Sequence, residues 1–553
     1  MRLSLRIAGV FACASLVLAC TPADPNQAET WFKNLSSKKQ SVQLDALAKL
    51  RKIGDKAAVP AIVPLLQQDG EVKAEAAKVL GKLEDPAAVP ALIEAIDFEI
   101  GVGADKASKD ANIANKEIAE ALGALGDKAA VEPLLKLVAS SKDPFAKVAA
   151  INALGSLGDT RAVAELSRVA TNESEETYVA RKAIEALGRI GDPAAVPAIK
   201  KMLFHERKGV SFYAEASLAA YQIGPAAGDP LLVVLEGKDE ELLKWADDNN
   251  IFREALYIKA AEILGDLNEE KAIPTLVKLV GYEDPQGRQD MVLLVRRNAA
   301  IALGRMQAKE AVPALIRGLG EDEGNIRAMY ASALVNLGDQ KAIPALIACS
   351  LKGEVLDKSA HARKGCYVAV SRLGDAKAME QWEAWEKAEP ARSSAACMKE
   401  LTYSTPKAKE NAQKHCDELA ANVVKTLEEN KPRLAAAVEC TDKTDCWVGK
   451  LKDENPVVRE RAAMELGRLN DAKATAALME ALADDSDEVR IAAITSVDRL
   501  ASASKDALAT AVKGLEKLDA QIESEKGKIH FARVNQDLTR LAMKIRRLDR
   551  TGS

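Results

Sequence analysis

Along most of the chain, apolar residues recur three and four positions apart, as in Ala183, Ile184, Leu187 and Ile190. That spacing puts them on one stripe of an α-helix. Many of the stripes end at a glycine followed by aspartate, and a second apolar run, often with an early proline, begins two or three residues later. The full pattern is Leu-Gly-x-Leu-Gly-Asp, a short gap, then Ala-Val-Pro-Ala-Leu-Ile. It runs from Leu80 to Ile93, Leu187 to Ile199, Leu303 to Ile316 and Leu334 to Ile347. Glycine permits the left-handed turn that ends a helix, and aspartate can cap the start of the next. Proline is tolerated in a first turn, where the backbone N–H has no intrahelical partner. The pattern therefore predicts two antiparallel helices joined by a tight turn.

The marker glycine or its equivalent falls at positions 54, 84, 126, 158, 191, 338 and 374, with many intervals of 30 to 36 residues. One such helix pair is too small to bury its own apolar face, so neighbours must stack into a one-dimensional core. These residues resemble the HEAT repeat, specifically the short variety named after phycobilisome lyase subunits. The resemblance implies an all-α chain, a right-handed α-solenoid of about a dozen HEAT-like helix pairs. The same repeat serves enzymes, scaffolds and adaptors, so it does not choose a function.

Composition agrees with close-packed helices. Ala, Leu, Lys and Glu dominate, and only 4% of residues are aromatic. The formal charge is −5, and loss of Arg2 and Arg6 with a leader takes it to −7. A broadly basic nucleic-acid surface is disfavoured on that ground.

Residues 1–19 break the repeat pattern. Arg2 and Arg6 precede an apolar run from Ile7 to Leu18, too short to span a bilayer. The run ends in Val17-Leu18-Ala19-Cys20, which resembles the lipobox of bacterial lipoproteins. The resemblance implies cleavage before Cys20, lipidation of that cysteine and a membrane anchor. Thr21, rather than aspartate, follows the cysteine, which in the Gram-negative sorting pattern implies the outer membrane. A periplasm-facing chain is expected, with the cell surface as the other possibility. Residues 20–30 form a short polar tether, and repeats occupy 31–390.

Three intervals stretch between repeats, at residues 97–116, 237–253 and 281–296. The second carries Trp245 among acidic residues, and the third carries Tyr282 and Arg288. If these loops share one edge, the aromatic residues and Arg288 are candidates for partner binding. Plain solvated insertions are the alternative.

Residues 391–452 lose the repeat and hold most of the cysteines, before repeats return at 453–518. Setting aside Cys13 and Cys20 leaves six, an even number suited to an oxidising compartment. Cys440 and Cys446 bracket a short loop. Cys397 and Cys416 lie nearly symmetrically about the turn at 404–406. Cys349 and Cys366 pair by elimination. A zinc site is the competing use, but no Cys-x-x-Cys occurs. Residues 519–553 predict a basic amphipathic helix striped by Ile529, Val534, Leu538, Leu541, Ile545 and Leu548. It either caps the stack or docks on an acidic partner or membrane surface.

No catalytic constellation, metal site or cofactor motif is visible. The four histidines, His205, His361, His415 and His530, fall in different repeats, and only His205 is followed by glutamate. The iron-dependent HEAT-repeat hydroxylases carry several His-Glu pairs, so that activity is not expected. The leading expectation is a lipid-anchored scaffold that binds protein partners of the cell envelope, of unassigned oligomeric state. An envelope enzyme with a deep polar pocket, or a peptide or glycan sensor, is the rival.

Overall fold

Asp55, Asp85, Asp127 and Asp159 each accept a hydrogen bond from the backbone N–H two residues on, at 2.8–3.0 Å. What they cap is a single 3₁₀ turn, Lys56–Ala58, Pro86–Ala88, Lys128–Ala130 or Thr160–Ala162, which leads directly into the second helix. The residue before each aspartate must turn left-handed. Gly54, Gly126 and Gly158 do so at φ 74°, 72° and 61°. Where glycine is missing, Glu84, Asn268, Gln307 and Asn470 take φ 51–56° in its place, and two of the four are asparagines, which tolerate that region best. Gly374 is the exception among the marker positions, because its φ is not positive. The regular repeat ends there.

The computed structural model describes residues 24, 26–100, 105–285, 287–321, 324–351, 358–525 and 532–551. Cys20, the leader, most of the tether, residues 101–104 of the first insertion, and Ile529 and His530 lie outside these, as does the side chain of His361. The chain divides into two compact units, residues 1–190 and 191–553. In the first, the helix Glu29–Leu35 already begins within the stretch read as tether, and Ala28 is buried. It leads into pairs whose first members are Gln40–Ile53, Glu71–Leu83, Lys106–Leu125 and Pro144–Leu157, and the unit ends on Thr177–Ile190.

The first glycine of Leu-Gly-x-Leu has a packing reason. A Cβ added at Gly81 would lie 2.8 Å from the Cα of Ala121, and one at Gly123 would lie 2.9 Å from the Cα of Ala153. In the second unit, Gly265 stands the same way against Ala302, at 2.8 Å. Glycine on one helix and alanine on the next thus bring neighbouring backbones together. Because the obstacle is backbone, Gly265→Val cannot be absorbed by a rotamer change. It is expected to lower stability by about 1–3 kcal/mol, read as an earlier urea midpoint.

The second unit repeats the pattern through first helices Tyr213–Ile223, Arg253–Leu267, Gln289–Met306, Gly324–Leu337 and Lys358–Leu373. It is not purely helical. Residues 206–211 form a two-stranded hairpin pairing Glu206 with Ser211 and Arg207 with Val210. Its turn is Lys208-Gly209, both left-handed at φ 52° and 74°, as a two-residue hairpin loop requires. The acidic insertion is also ordered: Glu240–Asp248 is a helix whose cap, Asp239, accepts from Leu242 N at 3.1 Å and pairs with Lys200 at 2.7 Å.

The cysteine-rich segment is a long helical hairpin made of Ala376–Glu400 and Pro406–Cys440. The boundary expected at 391 therefore falls inside a helix. Pro390 sits within it and removes one hydrogen bond without ending it. Trp382, Trp385 and Tyr367 pack together where the hairpin meets the preceding repeat, with ring centroids 5.1–6.4 Å apart. Repeats resume with Pro456–Leu469 and Asp487–Ala503. The terminal segment is two helices rather than one, Leu515–Glu525 and Ala532–Thr551, so the boundary expected at 519 also falls inside a helix.

Candidate binding groove

The last helix, Ala532–Thr551, touches both ends of the second unit. One side of it is apolar. Val534, Leu538, Leu541 and Ile545 are buried in a cluster with Val489, Val497, Leu500, Leu508 and Leu518. The other side is charged and reaches back to the start of the unit. Arg540 lies 3.2 Å from Asp266 and 3.9 Å from Glu262. Arg547 donates to the carbonyl of Tyr221 at 3.0 Å, and its guanidinium stands over that ring. Lys544 pairs with Asp498 at 2.5 Å on the apolar-seam side. The helix is thus a cap on the last repeats and also a bridge to the first, so the unit closes on itself.

Closure leaves a half-open polar cavity of about 430 Å³ along the inner side of the unit. A second hollow of about 270 Å³ adjoins it, and the two share Ser332, Asn336, Ile491 and Thr495. Their walls follow the repeat. The variable residue x of Leu-Gly-x-Leu, or its equivalent, comes inward from six repeats as Asp266, Arg305, Asn336, Arg372, Arg468 and Arg499. In the helix Gln289–Met306, Ile301 and Arg297 lie one and two turns before Arg305 and join the same wall.

The carboxylates on these walls are already engaged. Asp266 is held by Arg305 and Arg540. Glu460 is held by Arg372 at 2.6 Å and by Arg433, and Glu465 by Arg461 at 2.8 Å and Arg468 at 2.5 Å. Asp537 approaches Arg540 at 3.7 Å, and Glu488 accepts from Ser486 Oγ. Two cations have no such partner. Arg297 is exposed to the cavity and makes no hydrogen bond or ion pair among the described residues. Arg499 makes one long hydrogen bond, to the carbonyl of Asn336 at 3.4 Å, and its buried Nε has no partner. Burial pushes the Arg499 guanidinium down to about 10. The carboxyl of Asp266 is pushed up by burial, against the pull of Arg305 and Arg540.

The bridge should be separable from the seam. Arg540→Ala is expected to cost about 1–3 kcal/mol, because it leaves the buried Asp266 with one guanidinium instead of two. Hydrogen exchange in Arg253–Leu267, the helix that carries Asp266 and Glu262, should quicken, while amides of Asp487–Ala503 stay protected. Equal loosening of both segments would refute a one-sided bridge.

The sites expected from the sequence lie elsewhere. Trp245 is half-buried, with one face stacked on His205 at 4.0 Å. Tyr282 donates to Glu254 at 3.3 Å and packs edge-on against Tyr257. Arg288 is exposed, paired with Asp290 and placed over the half-exposed ring of Phe252. The second and third insertions therefore meet on one edge. The structure joins Cys349 to Cys366, Cys397 to Cys416 and Cys440 to Cys446, with Cα–Cα distances of 6.0, 5.5 and 5.4 Å. Among the described residues, no three His, Cys, Asp or Glu side chains gather as a metal site, and no single helix is long and apolar enough to cross a membrane. The inner groove was missed. The signal that could have found it is the residue between glycine and leucine in each repeat, which changes while its neighbours do not.

Several solved structures are similar in fold. Yeast importin-β (Kap95p) is 13% identical over 93% of this chain and 76% of its own, with a TM-score of 0.40. The CpcE–CpcF complex of phycocyanin lyase from Nostoc sp. PCC7120 is 23% identical, over 56% of this chain and 97% of its own, with a TM-score of 0.22. Human deoxyhypusine hydroxylase is 19% identical, over 57% and 96%, with a TM-score of 0.20. No curated protein sequence matches. The family description "HEAT repeats" matches residues 28–99, 106–177, 288–363 and 444–522, and "PBS lyase HEAT-like repeat" matches 179–205. With more than half of its length matched, the chain belongs to the HEAT-repeat family.

Proposed function

We propose that this chain is a lipid-anchored scaffold of the bacterial cell envelope that seats a protein partner in the inner groove of its second unit. One observation carries the reading: six repeats each turn the same variable position of the motif into the groove wall. Such a wall suits recognition along an extended surface. The exposed edge where Arg288 lies over Phe252 offers a second contact. Anchoring rests on Arg2, Arg6, the apolar run to Leu18 and Cys20. The three cystine pairs suit an oxidising compartment, and Thr21 supports sorting to the outer membrane.

The test is cross-linking and affinity purification of the full chain from envelope fractions, beside an unrelated lipoprotein as control. One protein enriched over the control, with cross-links mapping to the groove, is the expected result. No enrichment would sink the scaffold reading. Separately, Cys20→Ala should abolish fatty-acid labelling and release the chain from membranes; continued membrane association would sink the anchor.

An enzymatic reading has one observation in its favour, the raised carboxyl of Asp266 in a polar cavity. Asp266 is clamped by two guanidiniums, and neither histidine nor cysteine lines the cavity with it. The binding reading is therefore preferred.

A further inference from the structure

We infer that the inner groove of the second unit takes an acidic polypeptide segment in extended form. The inference rests on the scaffold reading and adds the chemistry of the partner.

Charge is the first ground. The chain as a whole is acidic, at −5, yet this wall holds more cations than carboxylates. Its carboxylates are taken up by neighbouring arginines and lysine, or in Glu488's case by a serine hydroxyl. Its seven cations exceed its six carboxylates by one, and the two cations outside any ion pair are Arg297, free in the cavity, and Arg499, desolvated with an unpartnered Nε. Asp498 and Glu465 act on Arg499 only from beyond ion-pair distance, and a desolvated guanidinium with no carboxylate in contact is a standing cost, which an incoming carboxylate would relieve through charge-assisted hydrogen bonds.

Spacing is the second ground, and it favours a chain over a small anion. Stacked helices lie about 10 Å apart, so side chains from equivalent positions form rungs at about that interval. An extended chain rises about 3.3 Å per residue, so every third residue meets a rung. The two joined hollows give such a segment length, and Ser332, Asn336 and Thr495, which line both, can serve its backbone. The paired arginines keep unused N–H donors, since each guanidinium has five.

The experiment measures fluorescence anisotropy of the full chain in detergent with a labelled (Glu-Gly-Ser)4 peptide, and with (Lys-Gly-Ser)4 as its opposite. The acidic peptide is expected to bind and the basic one not to. The double variant Arg297→Gln with Arg499→Gln should weaken binding about tenfold or more, and Arg499→Lys should weaken it less. Lys407→Gln with Lys414→Gln, an equal loss of charge on the exposed hairpin, should leave affinity unchanged. Thermal melting of the double variant checks its fold, and an unchanged or higher Tm is expected because an unpaired buried cation is removed. The inference is overturned if the acidic peptide fails to bind, if the basic peptide binds as well, or if the groove variant loses less than threefold. An envelope partner recovered equally by wild type and the double variant would sink the inference alone. Arginine-dependent binding of the acidic peptide with no envelope partner recovered would sink the scaffold reading alone.

Discussion

Glu460→Ala is expected to destabilise the second unit by about 3–5 kcal/mol. Glu460 is 4% exposed and sits between Arg372 and Arg433, which come from two other helices. Arg433 is itself 4% exposed, and burial already lowers the pKa of its guanidinium. Removing the carboxylate leaves two cations facing each other with nothing between them, which is the expensive way to break a buried pair. The apolar double variant Glu460→Leu with Arg433→Met should recover most of the loss, because it removes the charge together with its partner. Urea unfolding of the two variants decides the matter. A loss below about 1 kcal/mol in the single variant would mean that solvent reaches the site. The position explains the size of the effect. At this carboxylate the helical hairpin, which has lost the repeat pattern, is fastened to the repeats on either side. Beside it, Arg461 donates to the carbonyls of Ser371 and Gly374 at 2.8 and 3.1 Å, holding the place where the marker glycine stops turning left-handed.

Cys397→Ala with Cys416→Ala is expected to cost about 3 kcal/mol in the chain-entropy picture of a loop of this length. The pair closes a separation of 19 residues at the tip of the hairpin. Little else holds that tip: the two cysteines form a small apolar cluster with Ala396, Met398, Leu401 and Leu419, separate from the large cluster of the last repeats. The damage should therefore be local, seen as faster proteolysis between residues 398 and 415. The corresponding loss for Cys440 and Cys446 should be about 2 kcal/mol, since that loop is short and both residues pack in the large cluster. Thiol titration of the denatured chain with Cys13 and Cys20 replaced by alanine, which leaves six cysteines, provides the premise. Six thiols should react only after reduction, and reaction before reduction would remove the basis of this prediction.

Helices and turns were legible because each is set by neighbours a few residues apart. Ala183, Ile184 and Leu187 define a buried stripe, and Asp192 caps the next turn by bonding two residues ahead. The helix Glu240–Asp248 is equally local, set by its Asp239 cap and the spacing of Leu242 and Ala246, inside a stretch whose acidity reads as a solvated loop. The repeat pattern fades near residue 391, yet the helix runs on through Pro390 to Glu400, so loss of the motif does not mark the end of an element. The groove was illegible for a different reason. It exists only when Arg540 and Arg547 meet Asp266 and Tyr221, and no local pattern reports a contact across hundreds of residues. Once the walls are seen, the inward residue of each repeat can be read off the motif.

The bridge from the last helix has a consequence for the time course of folding. Arg547 and Tyr221 are 326 positions apart. At a synthesis rate of about 5–20 residues per second, Tyr221 is made roughly 15–65 s before its partner exists. Each repeat can dock on its predecessor as it is completed, since those contacts are local and quick to form. The groove cannot take shape on that schedule. Its last wall arrives with the last helix, so a chain stopped anywhere before residue 532 would be largely folded and yet have no complete groove.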